Sequence, residues 1–138
     1  MRRAAFPRTA RSWKHSGRRS RAAAAGAVAA TIWGLQEPLD QRVFRCDYSD
    51  IALLGNAVGR GRAAGFAIHA VNGAIFGLAW HQARRRMRIH PVAAAVGEHL
   101  ALYPLFYFVD RPLLTNPRAF AQQTWRHVLF GYVLRRLA

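Results

Sequence analysis

The chain has 138 residues, enough for one domain with a modest core and too few for two. Twenty arginines and one lysine stand against six acids, a net charge of +15, yet 52% of the residues are hydrophobic, which excludes the composition of a disordered chain. Cys46 is the only cysteine, which excludes a disulfide scaffold and a zinc ribbon or finger.

Residues 1–21 hold eight basic residues and no acid. They are expected to form a disordered cytoplasmic tail that touches anionic lipid headgroups. Two other readings exist for this stretch. Arg18-Arg19 ahead of an Ala-rich run resembles an export signal with Ala27-Val28-Ala29 as a poor cleavage site, and an Arg-rich, acid-free start also fits a mitochondrial presequence.

The first helix is predicted over about 22–37, ended by Pro38, with Ala22, Ala25 or Gly26, Ala30 and Gly34 as a stripe of small residues. Asp50 to Val58 reads as a short capped amphipathic turn or two, expected to rest on the outer membrane surface. A second long helix over 63–83 carries Gly65, Gly73 and Gly77; small residues four apart let backbones approach where lipid supplies no hydrophobic drive. A third, over 91–109, starts on Pro91 and carries Pro104, where a kink is predicted. A fourth runs over 117–137, with Asn116 as its cap.

The gaps between charges identify the class. Residues 63–83 contain no charge over 21 residues, and 89–109 contain only Glu98 over another 21. A membrane-crossing helix needs about 20 mostly apolar residues, so both qualify. A basic nucleic-acid binder would spread its arginines along solvated faces, and such gaps leave no solvated face, so nucleic acid is not the expected partner. Four spans put the tail, Arg84 to Arg88 and Arg135-Arg136 on one side with 14 basic residues, against six on the other. The positive-inside bias then places both termini in the cytoplasm. Trp33, Tyr48, Trp80 and the Tyr103–Phe108 cluster are read as interfacial aromatics.

Candidate chemistry is sparse. Gly59-Arg-Gly61-Arg-Ala-Ala64 matches a loose dinucleotide fingerprint, but no acid lies between residues 51 and 97 to hold a ribose. No phosphate-loop lysine follows it, and the serines all lie outside the spans. The informative residues are polar ones inside the spans. Asn72, Glu98, His99, Arg126 and His127 fall near mid-depth, and Glu37, Asp40 and His69 nearer the outer face. Buried charges in a membrane pair with one another, and Glu98 with Arg126 is the pair that sign and depth suggest. The favoured role is a structural polar layer; a proton or small-ion path through Glu98 and the histidines, and a metal or haem site on His69, His99 or His127, are the alternatives.

Four segments together, Trp33-Gly-Leu-Gln-Glu37-Pro38, His69-Ala-Val-Asn72-Gly73, His99 with Pro104, and Trp125-Arg-His127-Val-Leu-Phe-Gly, resemble the YagU-like family of small bacterial inner-membrane proteins. The resemblance covers about residues 22–137. It implies four transmembrane helices and a membrane location, and no catalytic residues to carry over. The chain departs from that family by its long basic tail and shorter first loop.

The expectation is therefore an all-α protein: a basic disordered tail over 1–21 and a four-helix transmembrane bundle over 22–138 in a bacterial plasma membrane. Helix packing is assigned to Gly26, Gly34, Gly73 and Gly77. No enzyme activity, cofactor or metal is expected, and small-residue spans suit a homo-oligomer or a partner membrane subunit. The Arg-for-Lys and Ala-rich composition fits a GC-rich bacterial genome.

Overall fold

The computed structural model describes the backbone of residues 9–138 and the side chains of residues 17–138. Arg2, Arg3 and Arg8 of the expected tail lie outside the described residues. Every described element is helical: α1 (Thr9–Phe44), α2 (Asp50–Ala57), α3 (Gly61–Ala83), α4 (Pro91–Leu102), a 3-10 turn (Tyr103–Leu105), α5 (Phe106–Val109), α6 (Arg111–Leu114) and α7 (Pro117–Leu137).

The first helix is much longer than expected at both ends. The stretch from Thr9 to Arg21 is helical, which corrects the expectation of a disordered tail there; Arg, Ala and Lys are good helix formers. At the other end α1 runs through Pro38 to Phe44, 36 residues or about 54 Å at 1.5 Å per residue. Pro38 removes one backbone donor, and the side chains of Glu37 and Asp40 on either side are both bonded to other elements, so tertiary contacts hold the helix across the break. Pro104 acts differently. The helix tightens to the 3-10 turn at Tyr103–Leu105 before resuming as α5.

The long helices pack in a row. α3 lies on α1, α1 on α7 and α7 on α4, while α2 lies on α3. The two ends of the row, α3 and α4, share no packed seam. Glycine sets the closest approaches. A Cβ on Gly26 would run into the Gly73 carbonyl, and one on Gly77 into the Ala22 carbonyl, so α1 and α3 touch backbone to backbone. Gly34 instead faces the ring of Phe66. Gly131 does for the α7–α4 seam what Gly26 does for α1–α3, against Pro91 and Val92.

α2 packs against α3. Ser49 caps it by accepting from the Ala52 N–H at 2.9 Å, Ile51 and Gly55 are buried, and Gly55 and Gly65 bring it against α3. This packing carries Asp50 to Arg126 in the bundle. Gly59 and Gly61 both have left-handed backbone, φ 64° and 69°, which is the turn into α3 rather than a phosphate cradle.

The interior combines an apolar core with buried polar groups: Ala29, Trp33, Trp80, Phe130 and Leu134 cluster there, and Glu37, Asp40, His99, Gln122, Gln123 and Arg126 are buried as well. Large apolar residues line the outside: Leu35, Leu39 and Val43 on α1, Val71 and Ile75 on α3, Leu100 and Phe108 on the α4–α5 arm. Gly61–Ala83 and Pro91–Val109 are long and apolar enough to cross a membrane, each with mean hydropathy 1.4. Only 22% and 11% of those windows are buried, whereas the core helix of a soluble protein is mostly buried. The exposed arginines gather at the bundle ends. Arg21 donates to the Leu137 carbonyl at 2.9 Å, and Arg18, Arg19, Arg84 and Arg85 all act on His81, so one end is purely basic.

Candidate functional site

The centre of the structure is Arg126, fully buried on α7. Its Nε donates to Asp40 Oδ2 at 2.7 Å and its Nη2 to Asp40 Oδ1 at 2.6 Å. Nη1 reaches Asp50 Oδ2 at 3.1 Å, and Nη2 also reaches the Tyr48 carbonyl at 3.2 Å. A guanidinium has five N–H groups in a planar fork, and four are used here on three elements. Asp40 is equally occupied: Gln122 donates to Oδ1 and Gln36 to Oδ2, both at 2.8 Å. Asp50 Oδ1 accepts from the Tyr48 hydroxyl at 2.8 Å. Burial pushes the Tyr48 phenol above its ordinary value, and the neighbouring Asp50 carboxylate adds to the shift.

A second ion pair lies beside the first. Glu37 is fully buried, and its Oε1 accepts from Ser49 Oγ at 2.6 Å and from Arg62 at 3.0 Å, with the Arg62 side chain largely exposed. Together these contacts tie α1, the 45–50 loop, α2, α3 and α7 into one polar knot.

Glu98 is not part of it, which corrects the pairing that depth and sign suggested. The buried residues of α4 are Pro91, Ala95 and His99, four apart on the face toward α7. Glu98 is rotated about 100° off that face, is exposed, and makes no hydrogen bond or ion pair with another described residue. Equal depth holds for the two residues; shared face does not.

Four rings, one from each long helix, cross the bundle next to the knot. His69 of α3 meets Trp33 of α1 at 4.9 Å between centroids, Trp33 meets His127 of α7 at 4.7 Å, and His127 meets His99 of α4 at 4.7 Å. The contacts with Trp33 are edge-on, the geometry that ring quadrupoles favour. Trp33 is thus a core residue and not part of an interfacial belt; Trp80 and Tyr103 are buried too. His127 Nδ1 lies 2.7 Å from the Gln123 carbonyl, so that nitrogen carries the proton. Thr124 donates to the Phe120 carbonyl at 2.8 Å, leaving its oxygen to accept from His99 Nε2 at 3.1 Å. Trp33 Nε1 and His69 Nε2 are buried without a partner. Among the described residues no three of His, Cys, Asp and Glu converge as a metal set.

Where α3 and α4 fail to meet, the structure opens a cleft of about 200 Å³. Trp33 and Phe130 floor it; Asn72 and His69 stand on the α3 wall and Glu98 on the α4 wall, with His127 between. A second cleft of about 440 Å³ shares Trp33, Asp50, Leu53, Leu54 and His127 with the first and continues toward Leu105 and Phe106. The expected mid-depth residues therefore divide. Arg126 and His99 join the packed interior, while Asn72, Glu98 and His127 line the cleft. Tyr48, Ser49, Asp50, Arg62 and Gln122 complete the polar knot and were not assigned to it by sequence. The adjacent Gln122-Gln123 pair inside a long helix was the one local signal for it.

Among the described residues these features define an all-helical protein with two helices long and apolar enough to cross a membrane, a buried carboxylate–guanidinium cluster and exposed large apolar side chains. No family model, curated protein or solved structure matches the chain.

Proposed function

We propose that the chain is a four-span integral protein of a bacterial plasma membrane with both termini in the cytoplasm. In this reading the Arg126–Asp40–Asp50 knot is structural, and the cleft between α3 and α4 is the face offered to a ligand or partner. The observation that carries it is the set of large apolar side chains left exposed, leucine, valine and phenylalanine, around a buried carboxylate–guanidinium cluster. Water would penalise the exposed apolar surface, whereas in a bilayer that surface meets lipid and charged side chains must turn inward and pair. The purely basic end, with the acids gathered toward the other, supports the orientation. Similarity to the YagU-like family is consistent with four spans. α1 and α7 then cross beside α3 and α4, their charged residues turned inward.

The test is extraction of membranes from an expressing bacterium. Retention of the full chain in the pellet after alkaline carbonate, with release by detergent, is the expected result; release by carbonate or by high salt alone contradicts the proposal.

Proton or ion conduction is the second reading, favoured by Glu98 and His127 lining one cleft. Trp33 stands between His69 and His127, and an indole has no acceptor through which to pass a proton, so the ring row is no relay. Conduction predicts pH-driven flux in proteoliposomes that Glu98→Gln abolishes.

A further inference from the structure

The cleft between α3 and α4 has the chemistry of a cation site. The chain carries 21 basic residues, yet among the described residues no arginine or lysine lines the cleft, and its two acids are Asp50 and Glu98. Asp50 is already committed to Arg126 and to the Tyr48 hydroxyl. Glu98 is not committed, and it is the only charge between residues 89 and 109. An unpaired carboxylate on an apolar span is costly, and a bound cation would relieve that cost. The surrounding surface suits a particular partner. Phe76 and Phe130 meet edge to face at 5.2 Å, Trp33 joins them at 6.4 Å from Phe130, and aromatic faces attract organic cations. Asn72 offers an amide oxygen from the opposite wall. The adjoining 440 Å³ cleft is lined mostly by leucine, tyrosine and phenylalanine, room for an apolar body.

Resting on the membrane reading above, we infer that this cleft binds an amphipathic organic ammonium. The cationic head sits between Glu98 and Asn72 over the aromatic floor, and the apolar part lies toward Leu105 and Phe106. The open seam between α3 and α4 is the entrance, reached sideways from the bilayer. A soluble ammonium amphiphile and the ammonium of a lipid headgroup share this chemistry.

The experiment uses the full chain in dodecyl maltoside, a detergent with no charge and no ammonium, and tritiated benzyltrimethylammonium as the probe. Saturable binding is expected, weakened at least about tenfold by Glu98→Gln, because the carboxylate is the only uncommitted charge in the cleft. Neopentylbenzene, the same shape without the charge, should not compete. Asn72→Phe, which fills the cleft from the other wall at an exposed position, should also remove binding while Glu98→Gln and wild type melt together. Displacement by dihexanoylphosphatidylcholine assigns the site to a lipid headgroup, and failure to displace assigns it to a soluble amphiphile; both uphold the inference. Absence of saturable binding, or equal binding by wild type and Glu98→Gln, overturns it. If the chain still resists carbonate extraction, that result removes the cation site alone and leaves the membrane reading standing.

Discussion

Arg126 of α7 and Asp40 of α1, 86 residues apart in sequence, meet through two parallel hydrogen bonds of 2.7 and 2.6 Å with both side chains removed from solvent. The fork geometry fixes the rotation of α7 about its axis as well as its depth, because a guanidinium engages both carboxylate oxygens only in one plane. Asp50 takes the third direction of the same guanidinium, and so sets the position of α2.

Removing Arg126 strands two carboxylates against each other in the interior. Arg126→Gln should lower stability by roughly 3–5 kcal/mol, and Asp40→Asn combined with it should recover part of the loss. Asp50→Asn alone should cost less, since Asp40 keeps its bidentate bond. Thermal unfolding in detergent measures all three. Equal stability of Arg126→Gln and wild type would remove the knot from the account.

The two classes of helical glycine should respond with opposite signs. At Gly26 an added methyl meets the backbone of Gly73, which cannot move aside as a side chain could, so Gly26→Ala should destabilise by about 1–3 kcal/mol. At Gly97 nothing lies within 4 Å, and Gly97→Ala should stabilise by roughly 0.5–1 kcal/mol through helix propensity. The paired melting curves check the α1–α3 seam directly.

Tyr48 makes stability depend on alkaline pH. Its phenol is raised in the folded protein, while in the unfolded chain it ionises near the ordinary value of about 10. A raised folded value means the contribution is complete below about pH 10 and is lost as pH climbs toward the folded value. The melting temperature should therefore fall more steeply above about pH 10 for wild type than for Tyr48→Phe. Parallel curves for the two proteins would show that the Tyr48–Asp50 bond adds nothing.

Much of this structure was legible in the sequence. Asn116-Pro117 and Pro91 mark real helix starts because a cap and a first-turn proline act locally. Gly26, Gly73 and Gly77 lie at the α1–α3 seam because spacing by four places residues on one face whatever the partner. Pro38 misled because a local rule was overridden by Glu37 and Asp40, whose partners lie far along the chain. The Glu98–Arg126 pairing failed for a related reason. Depth can be counted along a helix, but rotation about its axis is decided by the packed face, here Pro91, Ala95 and His99. The role of α2 was hidden because its own pattern is amphipathic, and only packing against Gly65 shows that its inner face meets protein.

In the proposed topology the basic end of the bundle and the α2 end lie on opposite sides of a membrane. Cys46 is a poor reporter, being buried, so it is replaced by serine and single cysteines are placed at the exposed positions Arg60 and Arg86. With an impermeant maleimide on intact, outer-membrane-permeabilised cells, position 60 should label at once and position 86 only after lysis. Labelling of both positions before lysis, or of both only after it, would contradict a chain that crosses the membrane between them.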